Sequence, residues 1–501
     1  DFGAEKGEYP LLVRATDTQT DQNLGAVSAW QVSLAIVGPP KGWARTWGGI
    51  EWDRGYSVAI DATGNAYITG FFTDTVDFDP GVGVDIHTSN GLDDVFLSKF
   101  DPNGNFVWAR TWGGSDLDEG HAVTIDGSGC VYVTGWFNDT VDFDPGAGMD
   151  DHTSNDQYDA FFSKFDPNGD FVWARTWGGY GNDHADSVAT DGSGNVYIAG
   201  WFGDSEDTDF DPGAGEDFHK SNGDQDAFLS KFDSNGDFIW ARTWGAGGKD
   251  DAESVAIDGT GNAYIEGHFE YTADFDPGAG VDSHASNGGL DIYLSKLDPN
   301  GDFIWARTWG GAMDNDDDNG TSVAIDGFGN AYVTGWFYGT ADFDPGTGVD
   351  DHASDGLSDD FLSKFDPNGN FVWARTWGGN SSEQATAVAI DDSGNAYVSG
   401  SFSGTVDFDP GAGVDSHKSN GNKDAFLSKF DPDGNFVWAR TWGALLDDEG
   451  FSAGIDGSGN VYTTGSFSET VDFDPGPGLD DHTSEGIYDA FLCKFLPDGN
   501  W

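Results

Sequence analysis

Seven times the chain reads Asp-Phe-Asp-Pro-Gly, which sets carboxylate pairs at Asp77/Asp79, Asp142/Asp144, Asp209/Asp211, Asp274/Asp276, Asp342/Asp344, Asp407/Asp409 and Asp472/Asp474. Further along each copy a third carboxylate follows (Asp85, Asp150, Asp217, Asp282, Asp350, Asp415, Asp480). Carboxylates at alternate places in a loop are donors for a hard cation, and Ca2+ takes six to eight oxygens. The chemistry expected is one Ca2+ site per loop. The competing expectation is a turn that needs no ion: the first Asp caps it, the Phe anchors it, and Asp-Pro-Gly reverses the chain. Each loop also carries a His (His87 and six counterparts). Seven His in one phase read as structural, and Zn2+ would need a tighter set of His or Cys ligands.

Departures from the repeat are sharper signals. One connection is lengthened to Asp314-Asn315-Asp316-Asp317-Asp318-Asn319-Gly320. There Asp314, Asp316 and Asp318 stand at the alternate spacing of a Ca2+ loop, without the closing Glu; an acidic solvated loop is the alternative. Asp-Pro-Asn-Gly-Asn also alternates oxygens, but its Gly comes two places early and a hairpin turn with a Gly bulge accounts for it. The residue before the Phe that ends each second strand varies: Phe71, Trp136, Trp201, His268, Trp336, Ser401, Ser466. Trp136, Trp201 and Trp336 could stack on sugar rings or pack beneath the long loops. The off-repeat His121, His184 and His268 fall in three different copies with no nucleophile motif beside them, so no catalytic constellation is expected.

These residues are positioned by a strict repeat. Ala-Arg-Thr-Trp-Gly occurs with its Trp at Trp47, Trp112, Trp177, Trp244, Trp309, Trp377 and Trp442, in steps of 65, 65, 67, 65, 68 and 65 residues. Each copy predicts four strands, in the first Ser57–Asp61, Ala66–Phe72, Val95–Phe100 and Phe106–Trp112. The last places Phe106, Trp108, Arg110 and Trp112 on one side, and both of its sides are largely apolar, as for a sheet held between two neighbours. Four-stranded units repeated seven times form an all-β, seven-bladed β-propeller. The chain enters this array on a fourth-strand phrase, Trp43 to Gly49, and leaves on a third-strand phrase, Asp489 to Phe495. The N-terminal strand is therefore expected to complete the last blade and close the ring. Strand parity puts the long Asp loops and the blade connections at one end of the ring.

The formal charge is −66, from 88 acidic against 22 basic residues. Seven Arg and seven Lys of the basic set are locked into the repeat, so the loops carry a large negative field. Nucleic acid and acidic lipid are excluded as partners and divalent cations favoured. Adaptation to high salt is the other cause such a charge can have. No apolar run reaches the ~20 residues of a membrane span. Cys130 and Cys493 fall in non-adjacent copies, and no bridge between them is expected. Residues 1–40 stand apart: Tyr9 to Thr16 and Val27 to Val37 read as two strands, then Pro39-Pro40 as a stiff linker. No signal peptide opens the chain, which reads as a fragment of a larger one.

The Val-Ala-Ile-Asp, Gly-Asn-Ala-Tyr-Val-Thr-Gly and Asp-Ala-Phe-Leu-Ser-Lys-Phe-Asp-Pro-Asn-Gly phrases, clearest at residues 121–135 and 159–179, resemble the bacterial SBBP β-propeller repeat family. The resemblance covers residues 41–501 and implies a propeller in a secreted setting. Residues 1–40 resemble the last hairpin of a cadherin-like sandwich domain. The function expected is a non-enzymatic structural or adhesive module, extracellular or on the cell surface and stabilised by Ca2+. Its partners would be other surface proteins or glycans; a carbohydrate-binding propeller using the three Trp is the alternative.

Overall fold

The computed structural model describes residues 11–16, 31–36, 41–203, 207–312 and 317–501. Among them the secondary structure is all strand, and no helix is long and apolar enough to cross a membrane. Seven four-stranded antiparallel sheets follow one another as blades of a propeller. Blade two is representative, with strands Asp118–Ile125, Val131–Phe137, Asp159–Phe165 and Phe171–Trp177 lying side by side in chain order. The first strands of neighbouring blades pack on one another around the ring, the last against the first. They line the axis.

Ring closure follows the strand phase at the two chain ends. Trp43–Trp47 pairs antiparallel with Asp489–Phe495, Trp47 opposite Ala490, so the last sheet takes its outer strand from the start of the array. Leu11–Thr16 pairs antiparallel with Gln31–Ile36 as a two-stranded sheet of its own. The cadherin-like likeness and the linker at Pro39-Pro40 rest largely on residues outside those described.

The apolar core lies between blades rather than within them. Tyr67, Leu97 and Trp112 of blade one meet Val133, Phe161 and Phe165 of blade two in a single buried cluster. Second and third strands are covered on both faces, as the sequence predicts. The fourth is not: it forms the outer edge, and Val107, Val172 and Ile239 there are exposed. Repeat-locked cations join the blades. Arg110 lies over Trp108 at 5.0 Å and donates from Nε to Gly169 O of the next blade at 2.8 Å. Lys99 sits over Tyr67 at 4.7 Å and donates to Pro167 O at 3.2 Å. Glycine is required in the third-to-fourth turn, where Gly104 has φ +74° and an added Cβ would stand 2.9 Å from the Trp43 ring of the preceding blade. Asp101 Oδ1 accepts from Asn103 N and Asn105 N at 2.8 and 2.9 Å, so this run forms the hairpin turn with its own carboxylate.

The long loops are more ordered than the sequence suggests. Each closes a small hairpin, Thr140–Asp142 against Asp151–Thr153 in blade two, which in blades one and five merges with the blade strands. The Phe of the motif anchors it: Phe78, Phe143, Phe210, Phe275, Phe343, Phe408 and Phe473 are all buried.

Candidate functional site

The expected cation loops use their carboxylates on their own backbone. Asp142 Oδ1 accepts from Asp144 N at 3.1 Å and Asp150 N at 2.8 Å, and Asp144 Oδ1 accepts from Gly146 N at 2.8 Å. The first Asp of every other motif does the same. Asp77, Asp209, Asp274, Asp342, Asp407 and Asp472 each hold the amide eight residues on at 2.8 Å. The second Asp repeats its part too: Asp79, Asp211, Asp276, Asp344, Asp409 and Asp474 each accept at Oδ1 from the glycine amide two residues on, at 2.7–2.8 Å. In Asp276, Asp344, Asp409 and their counterparts these bonds engage one carboxylate oxygen. Backbone amides occupy that oxygen and brace the turn, because the Pro and Gly that follow present those amides at short range. An ion at these loops would have to draw on the remaining oxygens.

The loop His is tied in as well: His152 Nδ1 lies 2.8 Å from Thr176 Oγ1, and its ring packs edge-on against Phe143. Open clefts between blades, about 500 Å3 in one case, bring Asp211 of one blade near Arg175 and His152 of the blade before. Of the lengthened connection, Asp314 and Asp316 lie outside the described residues. Asp318 is fully buried, with Oδ2 accepting from Gly311 N at 2.5 Å and Oδ1 from Tyr338 N at 2.8 Å. It is therefore blade five's version of Asp118, a regular member of the repeat rather than part of the insertion.

What differs from blade to blade converges elsewhere. In every innermost strand the pairing register shifts at Tyr56, His121, Asp186, Glu253, Thr321, Thr386 or Phe451, in blade four together with Ala252. Such a bulge releases its residue from the ladder and re-aims the side chain. Two residues earlier stand Arg54, Glu119, His184, Asp251, Asn319, Gln384 and Glu449, each paired across to the variable second-strand residue. These three positions per blade form one belt around the axis, at its long-loop end. Their neighbours do not vary: the second-strand residue is always preceded by Gly and followed by Phe. At the opposite end, a cavity of about 580 Å3 is bordered by ordinary repeat residues, among them Asp61, Asp391 and Asp456.

The belt divides into three arcs. Over blades seven and one, the Arg54 guanidinium lies 5.1 Å from Trp52, 5.6 Å from Tyr488 and 5.7 Å from Phe451, an aromatic cage around one cation. Over blades five and six, hydroxyls stitch innermost strands together: Thr321 Oγ1 donates to Ala385 O at 2.8 Å and Thr386 Oγ1 to Gly450 O at 2.7 Å. Over blades two to four lie three imidazoles and four carboxylates.

In that third arc, His121 Nδ1 stands 3.1 Å from Asp186 Oδ1 and Nε2 stands 3.4 Å from Glu119 Oε2. Burial favours the neutral ring, but the two carboxylates outweigh it and raise the pKa. The Trp136 indole N–H lies 3.1 Å from the same Nε2, an arrangement that suits the neutral ring and opposes that rise. His184 stacks on Trp201 at 4.1 Å and 21°, and burial, assisted by the nearby His121, pushes it down to about 4. The rings of His121 and His184 are 6.3 Å apart, so His residues that look scattered in the sequence are neighbours here. His268 Nε2 lies 3.0 Å from Asp251 Oδ2, whose other oxygen accepts from Gln225 Nε2. Among the described residues, Asp251, Glu253 and His268 form the one group of three whose candidate ligand atoms lie within 4.8 Å of one another. No set drawn from the Asp-Phe-Asp-Pro-Gly loops is gathered that closely among the described residues.

The Trp residues expected to stack on sugars belong to this belt. Trp136 is 6% exposed and lies 4.3 Å from Tyr158, which leaves its ring no open face. Trp201 is covered on one face by His184, and Trp336 is half-buried opposite Asn319. Sequence reasoning missed Glu119, Asp186, Asp251, Glu253 and Glu266. Aligning the seven copies at the bulge exposes them. Both cysteines are free, as expected.

The SBBP beta-propeller repeat family matches residues 311–339, within blade five, so the chain carries this family's repeat. Over 517 aligned residues the chain is 23% identical to an uncharacterized WD repeat-containing protein of Acanthamoeba polyphaga mimivirus, covering 87% of the chain and 37% of that protein. It is also 26% identical over 145 residues to the regulatory protein FlaEY of Caulobacter vibrioides, covering 29% of the chain and 15% of that protein. The chain thus spans well under two thirds of either relative. Among solved structures, the Neurospora crassa Pan2 WD40 domain aligns at 10% identity with a TM-score of 0.42, over 91% of the chain and 97% of that domain.

Proposed function

We propose that this propeller is an interaction module, part of a secreted or cell-surface bacterial protein, and that its partner is a polypeptide seated on the belt at the long-loop mouth of the axis. One observation carries the reading: in a chain whose blades are nearly copies, three positions per blade that differ from copy to copy are brought together at that mouth. Ring-shaped repeat scaffolds present binding surfaces in this way, by varying exposed residues on an unvarying frame. The formal charge of −66 and the carboxylates of blades two to four select a partner with basic side chains. Ca2+ at the Asp-Phe-Asp-Pro-Gly loops, held by the oxygens their turns leave over, is part of the same proposal. It would relieve repulsion on the face surrounding the belt.

The test selects peptides from a random display library on the immobilised propeller. Peptides enriched in Arg or Lys are expected, with affinity falling at least about tenfold for the Glu119→Thr, Asp186→Thr double variant. Peptides that bind both proteins equally, or a glycan array giving the specific hits instead, would overturn the reading.

A further inference from the structure

Each of the seven repeat-locked Arg, from Arg45 to Arg440, donates from Nε to a Gly carbonyl of the neighbouring blade at 2.6–3.1 Å. Arg54 is the exception. It stands on the belt at the first-strand position that other blades fill with Glu119, Asp251 or Gln384. Its Nε is buried with no hydrogen-bond partner, and among the described residues no carboxylate stands within ion-pair distance of it. Asp93, whose carboxylate feels its charge, is held by Thr73 Oγ1 at 2.6 Å. The guanidinium is surrounded by rings, those of Trp52, Phe451 and Tyr488.

An unpaired guanidinium is costly, and this chain has 88 acidic residues from which a partner could be drawn. Ring contacts hold the group in place without using its N–H donors. Those donors form a planar fork that matches a carboxylate with two parallel hydrogen bonds. Charge narrows the choice of anion, since a net −66 opposes a phosphate dianion more than a single carboxylate. The surroundings narrow it further. Ile50 and Trp52 on the connection into blade one, and Ile487 of the blade-seven loop, are exposed. Ile487 N donates to Glu51 O at 3.3 Å, so loop and connection make one surface. Other connections carry Ser115, Gly247 or Asn380 in the place of Ile50.

We propose that Arg54 is the receptor for a carboxylate of the partner polypeptide, seated with an apolar side chain against Ile50, Trp52 and Ile487. The class of partner rests on the interaction reading; the anion site does not. The two arcs then select opposite charges, basic side chains over blades two to four and a carboxylate over blades seven and one. Tyr56 joins them, its ring 5.3 Å from both Phe451 and His121.

The test titrates the full chain with acetyl-Gly-Gly-Leu as the free acid, with its C-terminal amide, and with amidated acetyl-Gly-Glu-Leu, which separates a terminal from a side-chain carboxylate. Arg54→Gln installs the residue blade six uses there, Gln384, and Trp52→Ser the residue of its connection, Ser382. Thermal melts report that the ring stays closed. One of the carboxylate peptides is expected to bind at least about tenfold tighter than the neutral amide, with Arg54→Gln erasing the difference and Trp52→Ser weakening the binding. Equal binding of acid and amide by the parent, a comparison that needs no variant, would overturn the proposal. So would a folded Arg54→Gln protein that keeps the preference, or inorganic phosphate or an oligouronate occupying Arg54 more tightly than either peptide. The Glu119→Thr, Asp186→Thr double variant should keep the preference for the carboxylate, so failure here and failure of the basic-peptide reading are separate results.

Discussion

The propeller should lose stability as pH rises from 5 to 8, and one carboxylate should account for a measurable part of the loss. Asp118 has no exposure; its Oδ2 accepts from Gly114 N at 2.6 Å and its Oδ1 from Asn138 N at 3.0 Å. Burial pushes its pKa up to about 8, against the two backbone hydrogen bonds that pull it down. Asp53 occupies the same place in blade one and is likewise pushed up to about 8, with Glu383 and Asp448 at about 7. The folded chain therefore holds protons that the unfolded chain releases near 3.8. Stability from such a group is full below 3.8, declines above it, and is lost as pH passes the folded value. One proton is worth about 1.4 kcal/mol per pH unit, so Asp118 alone can remove up to about 4 kcal/mol between pH 5 and 8. Asp118→Asn keeps the shape but cannot titrate, and it turns one acceptor into a donor facing a backbone N–H, at about 1–3 kcal/mol. At pH 5 the variant should be less stable than the parent. The gap should close and reverse toward pH 8. Urea melts of both proteins at each pH unit give the two curves, and general charge repulsion, common to both, drops out of the difference. Parallel curves, or a parent more stable at pH 8 than at pH 5, would refute the reasoning.

Phe143→Ala should remove the anchor of the blade-two loop, since the ring is buried and lies 5.2 Å from both Phe137 and Phe161. The expected loss is about 3–5 kcal/mol, read as faster amide exchange across residues 140–153; unchanged protection there would show that the hairpin is held by its backbone alone. For the Ca2+ proposal, chelator-stripped protein should melt several degrees higher in CaCl2 than in NaCl of equal ionic strength. Equal midpoints in the two salts would leave only screening of the −66 charge.

The architecture was legible because its determinants are local phrases. Trp43 to Gly49 reads as a fourth strand and Asp489 to Phe495 as a third, and strand phase alone joins them, as the pairing of Trp47 with Ala490 bears out. Turns were legible for the same reason: Asp101 and its two backbone amides lie within five residues. The belt was not. His121 and Asp186 are 65 residues apart, and only the curvature of the ring sets them 3.1 Å from each other. Nor does single-copy patterning show that Glu266 is odd, because a Glu within a strand is unremarkable until six counterparts are Thr, Ser or Ala.

The frame and the belt have opposite tolerances for a physical reason. Arg110, Lys99 and Trp112 each touch a neighbouring blade, so a change in any one copy must be matched across an interface packed without slack. Seven interfaces closing on themselves multiply that constraint, which favours identical mortar. At the bulge the residue leaves the ladder and its side chain turns toward the axis, where no cross-strand partner dictates its size. Tyr56, His121, Asp186, Glu253 and Thr321 can therefore coexist in one ring without disturbing its closure. Glu266 breaks that rule, since it sits within the mortar and is accommodated by Gly320 of the next blade. A costly residue in the unvarying frame, beside an unpartnered His268 Nδ1 in the variable belt, is where this ring departs furthest from seven equal copies.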